Sequence, residues 1–236
     1  MTLAEATSLF IEAQATGHTS PSARSSQAAL RLLSEYFRKN TPITDLTLSG
    51  IREFLTRWYV DEAASPTNEV NSPNDLVPTP DELIDTLVQF FSWLDVKHGT
   101  NYSTRFSEIL ARIQTSLPKA IRLTRVLAET FRQRKGAFSF PEFLTSFEEG
   151  GRSEYDIDVA GGTTALDGYF RVTKVDGSSV EAVELLTEDA IAPIDFPADV
   201  AETVEVGYVI NLEMVREQNR WKILGCGFAY PPEFEI

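Results

Sequence analysis

Phe147-Glu148-Glu149-Gly150-Gly151-Arg152-Ser153 is the stretch at which this chain changes its hydropathic rhythm. Before the paired glycines, apolar residues recur at helical spacing behind Ser and Thr caps; after them, apolar and polar residues alternate two by two between turn dipeptides. The reading that follows is a two-domain chain, α then β. A helical bundle of about seven helices spans 1–150, and a small antiparallel β-barrel or sandwich, all-β and acidic, spans 151–236.

Working back from Gly150, three capping boxes mark helix starts, each a Ser or Thr with Glu three residues on. They are Thr2-Leu3-Ala4-Glu5, Thr79-Pro80-Asp81-Glu82 and Ser139-Phe140-Pro141-Glu142, the last with Phe138 and Phe143 at the spacing of a hydrophobic staple. Between them, Ser20-Pro21 starts a helix with Leu30, Leu33 and Phe37 as its buried face. Thr47 starts another with Leu48, Ile51, Leu55 and Trp58 on one stripe. The helix from Pro80 carries Leu83, Leu87, Phe90, Phe91 and Leu94, has Lys97 and His98 in its last turn and stops at Gly99. Pro118 is expected to separate a helix over 104–117 from one over 118–135, with Ser116 capping the second. Asp61–Pro78, polar, acidic and broken by Pro66, Pro73 and Pro78, reads as a long loop, either a disordered insertion or an acidic contact arm.

Working forward, alternation is strongest over Thr203–Val215, where Val204, Val206, Tyr208, Ile210, Leu212 and Met214 share a face opposite Glu205, Asn211 and Glu213. Asp176-Gly177 and Gln218-Asn219 read as hairpin turns, and Glu154–Val159 as a further strand. Gly225 and Gly227, flanking Cys226, are placed to bend a strand so that the sheet can close and lose its open edges.

Composition narrows the function. Cys226 is the single cysteine and His18 and His98 the two histidines, so an internal disulfide and a Cys/His zinc site are both excluded, and a reducing, cytoplasmic setting is expected. The longest apolar run, Leu87–Leu94, is interrupted by Gln89 and Ser92 and too short to span a bilayer, so no membrane partner is expected. Residues 1–150 hold 18 acids and 15 bases, whereas 151–236 hold 17 acids and 6 bases, so the second module should repel polyanions. Within the first, residues 58–96 carry eight acids and no base, and 101–135 carry eight bases and two acids, Glu108 and Glu129.

Two groups of residues are candidates for binding. Arg105, Arg112 and Lys119 repeat every seven residues and are followed by Arg122, Arg125, Arg132, Arg134 and Lys135. Such a block can neutralise phosphates, but the reading favoured by the common fate of helical arginines is that it answers the acids of Asp61–Asp85 within the chain. Tyr208, Trp221, Phe228 and Tyr230, with Pro231-Pro232, concentrate aromatic surface in the acidic module, which suits a basic peptide if they line a groove and is ordinary core if they do not. Asp156, Asp158 and Asp167 read as the wet side of a strand or as carboxylates for a cation; Asp195, Asp199 and Glu202 read as loop acids. No catalytic constellation, phosphate-cradling glycine loop, metal set or cofactor motif is written in the chain, and Cys226 has no histidine near it in sequence.

Thr19–Phe37, then Ile43-Thr44-Asp45-Leu46-Thr47 leading into Ile51-Arg52-Glu53-Phe54-Leu55, then Leu87-Val88-Gln89-Phe90-Phe91-Ser92-Trp93-Leu94, resembles the N-terminal core-binding domain of tyrosine recombinases. The resemblance covers residues 19–98 and implies a SAM-like four-helix bundle that clamps DNA. The family's catalytic set of arginines, His-x-x-Arg and a nucleophilic tyrosine has no counterpart, since His18 precedes Thr19-Ser20-Pro21 and His98 precedes Gly99-Thr100-Asn101. The sequence therefore leads to a non-catalytic adaptor that binds protein partners. The alternative is a DNA-associated accessory protein using the 101–135 block.

Overall fold

In the computed structural model, residues 1–15, 21–64, 77–135 and 164–236 are described. Among them, six helices precede a five-stranded mixed sheet: α1 (Leu3–Ala15), α2 (Pro21–Tyr36), α3 (Leu48–Glu53), α4 (Tyr59–Ala64), α5 (Pro80–His98) and α6 (Tyr102–Lys135), then β1 (Ala165–Asp176), β2 (Ser179–Glu184), β3 (Ala190–Asp195), a short helix α7 (Ala198–Ala201), β4 (Val209–Glu217) and β5 (Arg220–Tyr230). A 3₁₀ turn spans Ile43–Asp45, and one π-helical turn, Phe54–Trp58, joins α3 to α4. By their contacts the residues form two compact units, Met1–Ile121 with Glu233–Glu235, and Arg122–Pro232 with Ile236. The junction at Gly150-Gly151, the Ser139–Glu142 box with its Phe138/Phe143 staple, the Glu154–Val159 strand, Asp156, Asp158, His18 and the Ser20 cap all lie outside the described residues.

The expected caps shape the helical unit. Thr2 accepts from Glu5 N at 3.3 Å while Glu5 reaches back to Thr2 N at 2.8 Å, and Thr79 with Glu82 repeats the pattern ahead of Pro80. Thr47 accepts from Gly50 N at 3.1 Å, and Gly99, at φ 64°, ends α5 in the left-handed conformation that a side chain would strain. The turn from α5 into α6 hangs on Asp95. Its carboxylate accepts from Thr100 Oγ1 (2.6 Å), Tyr102 N (2.6 Å), Ser103 N (2.8 Å) and Ser103 Oγ (2.5 Å), taking up backbone donors at the start of α6 that the helix itself cannot satisfy. Burial raises the Asp95 carboxyl, and the bonds from Ser103, Thr100 and Tyr102 together outweigh it, leaving the group below its ordinary value. Above this turn Phe91, Tyr102 and Phe106 are all buried, with ring centroids 4.8–6.0 Å apart.

Two helical expectations are corrected. Asp61–Ala64 belongs to α4, because Tyr59 and Val60 are fully buried and carry the helix through the first of the acids; 65–76 of the expected loop lie outside the described residues, and Val77–Thr79 is coil. Pro118 does not divide two helices, and Ser116 caps none: α6 runs 34 residues through it. An internal proline costs about 3 kcal/mol. Here Leu110, Ile113, Leu117, Ala120, Ile121, Leu123 and Leu127 are buried on both sides of it, each large one contributing roughly 1.5–3 kcal/mol.

In the second unit, β1 pairs with β2 and β4, β2 with β3, β3 with β5, and β5 with β4, a ladder in which every strand has two neighbours. The hairpins fall at Gly177 (φ 59°) and Gln218 (φ 57°), as expected. The sheet is mixed rather than antiparallel: β3 and β5 run parallel, Ile194 beside Trp221, because the connection through α7 brings the chain back before the β4–β5 hairpin. Thr203–Tyr208 is not strand. Thr203 N and Val204 N close off α7, Gly207 turns at φ 94°, and Val206 is 60% exposed. Ile210, Leu212 and Met214 do share the buried face, joined by Phe170, Val172, Val180, Ile194 and Trp221. Leu123, Leu127 and Phe131 of α6 complete that core, and Thr124 fixes the helix by accepting from Ala229 N at 2.8 Å and donating to Ala229 O at 3.2 Å. Register shifts between β4 and β5 fall between Ile223 and Gly225 and between Cys226 and Ala229.

Asp95→Ala should lower stability near neutral pH by about 1–2 kcal/mol, the worth of a lost helix cap. Because the folded carboxyl titrates below its unfolded value, this contribution is present above about pH 4 and fades as pH falls through the folded value, so the melting temperatures of variant and parent should converge in acid. A Cβ on Gly227 would lie 2.4 Å from Asn211 Oδ1, and Asn211 is held by its bond to Gly168 O at 3.2 Å. Gly227→Ala should therefore cost about 1–3 kcal/mol in chemical denaturation.

Candidate functional site

Sequence periodicity places Trp58 on the stripe of Leu48, Ile51 and Leu55, and the structure turns it outward. In the π-turn, Tyr59 N–H bonds to Phe54 O, five residues back, which inserts one extra residue into the helical register. Tyr59 takes the core position, fully buried and donating its hydroxyl to Pro78 O at 2.5 Å. Trp58 is left half-buried and Leu48 37% exposed. Beside it, Tyr36 and Phe37 at the end of α2 are half-buried as well, so Phe37 does not join Leu30 and Leu33 in the core. Gly50 sets the position of Phe37, since a Cβ there would meet Phe37 Cε1 at 2.8 Å.

Tyr36, Phe37 and Trp58 form an aromatic face over the buried Phe54: Tyr36 lies 4.8 Å from Phe37, 5.5 Å from Phe54 and 6.1 Å from Trp58, and Trp58 stacks on Phe54 at 5.8 Å. Charges of both signs border it. Burial pushes the Tyr36 phenol up to about 12, reinforced by its hydrogen bond to Glu53 and that group's charge, against a smaller opposing effect of Arg57. Glu62 is raised by burial and then by Glu35, with Arg31 opposing, while Arg31 and Glu35 pair at 3.3 Å. The face thus offers ring π-clouds together with carboxylates, a combination that attracts guanidinium and ammonium groups. Among the described residues no group of three or more His, Cys, Asp or Glu is arranged to hold a metal ion.

The sequence-derived candidates fare differently. Arg105, Arg112, Lys119, Arg122 and Arg125 are exposed on α6, and the side chains of Arg132, Arg134 and Lys135 lie outside the described residues. Two of the bases are engaged locally: Arg105 donates to Leu46 O at 3.4 Å and sits 5.6 Å over the Phe106 ring, and Arg112 pairs with Glu108 at 2.6 Å. Tyr208, Trp221, Phe228 and Tyr230 are 4%, 6%, 6% and 3% exposed, so they line no open groove. Trp221 belongs to the sheet core, with Arg216 5.9 Å above its ring. Cys226 is half-buried against the same core. Asp167 stands opposite Glu213 in the ladder, raised by burial and then by that neighbour. Asp195 is a strand residue in a bidentate contact with Arg220, and Asp199, in α7, accepts from Thr130 at 2.8 Å; neither is a loop acid.

The aromatic face is what sequence reading missed. The signal was the triplet Trp58-Tyr59-Val60, three apolar residues in succession where a regular helix turns at least one of them to solvent. No helix among the described residues is long and apolar enough to cross a membrane. Comparison with known proteins yields no matching family model, no matching curated protein and no matching solved structure, so none identifies a recombinase core-binding domain.

In ultraviolet titration, the difference between the parent and Tyr36→Phe should show one phenol ionising near pH 12 rather than about 10. Glu53→Gln should bring that value down only part of the way, because burial, the larger cause, remains. A raised phenol contributes stability below its unfolded value, so stability should decline over roughly pH 10–12 in the parent and less steeply in Tyr36→Phe.

Proposed function

We propose that the chain is a non-catalytic interaction protein whose helical unit engages a protein partner through the Tyr36–Phe37–Trp58 face. The single observation that carries this reading is the π-turn. It leaves a tryptophan half in water beside two other half-buried aromatics, and aromatic anchors of this kind concentrate binding energy at protein interfaces. With Glu53 at its border, the face suits a partner that contributes arginine or lysine, so the basic peptide expected for the β module is assigned to the helical unit instead. We read the cyclic strand ladder of the second unit as a small closed barrel that serves as a rigid, acidic carrier. The lone thiol Cys226 accords with a reducing compartment such as the cytoplasm.

A DNA-associated role keeps one supporting observation, the exposure of Arg105, Arg112 and Lys119 at seven-residue spacing on α6. Their local engagements and the net charge of −14 weigh against it.

Fluorescence anisotropy against a panel of arginine- and lysine-bearing peptides separates the two readings. Binding that weakens by about tenfold or more in Trp58→Ala, with the melting temperature held, supports the aromatic face; no peptide bound, or binding indifferent to Trp58, rejects it. Duplex DNA titrated with salt tests the alternative. Three phosphate contacts would give a log–log slope of about −2.7, and absence of binding at low salt removes that reading.

A further inference from the structure

The chain contributes to the helical unit a second time. Glu233–Glu235 belong to it by their contacts, although Arg122–Pro232 form the other unit. All three residues are held. Ser116 Oγ on α6 donates to Glu233 at 2.9 Å, Arg52 on α3 forms an ion pair with Glu235, and Phe234 between them is 2% exposed. Ser116 is itself buried, and Arg112 O, at 3.3 Å, is the more distant of the two acceptors of its one hydroxyl proton. Arg112 and Lys119, four residues before and three after Ser116, share its side of α6, Arg112 being paired with Glu108. Two acids separated by one aromatic thus meet two donors on different helices.

We propose that the helical unit carries a recognition site for a short Glu–aromatic–Glu segment, occupied in cis by Glu233-Phe234-Glu235, and that a protein segment of the same chemistry competes for it. The ion pair is partly exposed, 29% on Arg52 and 71% on Glu235, and exposed pairs hold weakly, so the segment is exchangeable. Its hold comes from the burial of Phe234 and from covalent attachment, which gives a tethered segment a high effective concentration. This site uses Arg52 and Ser116 and is independent of the Tyr36–Trp58 face, so the two stand or fall separately.

The test is anisotropy of a labelled peptide, Pro-Pro-Glu-Phe-Glu-Ile, against the full chain and against a full-length Glu233→Gln, Phe234→Ala, Glu235→Gln variant. The variant, its own segment disabled, should capture the peptide at least about tenfold more tightly than the parent. Adding Arg52→Glu should abolish capture, and salt should weaken it. Equal capture by both chains, or capture by neither with the variant's circular dichroism unchanged, overturns the proposal. If the triple variant does not fold, Arg52→Glu alone decides by amide hydrogen exchange: exchange at 234–236 about tenfold faster than in the parent supports the site, and unchanged exchange overturns it.

Discussion

Leu123, Leu127 and Phe131 recur at four-residue spacing on α6 and are buried with the side chains of the sheet, while Phe106, Ile113 and Leu117 of the same helix are buried in the helical unit. One 34-residue helix therefore supplies apolar residues to two cores. This is the constraint under which the rest of the structure operates. A five-stranded sheet of about 70 residues has little interior of its own, and small domains of that size bury too low a fraction of their surface to be robust. The helix supplies what the strands lack. Thr124, donating to and accepting from Ala229, locks the packing at a single rotation and height, since a turn of α6 about its axis would break both bonds.

The same demand explains why Pro118 is tolerated. A break there would satisfy the local backbone but withdraw a block of buried side chains from one core or the other, and the sum of those burials exceeds the loss of one hydrogen bond. In the π-turn the trade-off takes a different form. Phe54, Leu55, Thr56, Tyr59 and Val60 are all buried, which no 3.6-residue spacing permits on one face; widening a single turn admits them at the cost of exposing Trp58. The aromatic face is thus a consequence of how the core is filled, and a partner for it would exploit a surface that packing had already produced.

Charge is handled within the units. In the sheet of the second, Arg171 is engaged with Gly207 O and Pro232 O, Lys174 with Glu181, Arg216 with the Trp221 ring, Arg220 with Asp195, and Lys222 with Glu217. The acids of residues 151–236 outnumber the bases 17 to 6, an excess that repels polyanions. In the helical unit Arg52 meets Glu235, and Arg112 meets Glu108, so part of the basic block answers acids of its own chain.

What the sequence determined alone is what local physics controls: the boxes at Thr2 and Thr79, the stop at Gly99, the hairpins at Gly177 and Gln218, and the shared face of Ile210, Leu212 and Met214. Each depends on residues a few positions apart. What tertiary structure decided is everything that required knowing which elements share a core. Continuity of α6 through Pro118, the parallel pairing of β3 with β5, the burial of Tyr208, Phe228 and Tyr230, and the outward turn of Trp58 each set a local preference against burial elsewhere in the chain. A periodicity reports which side of an element is apolar; which neighbour that side will meet, and how many residues must fit against it, is fixed only when distant segments compete for the same interior.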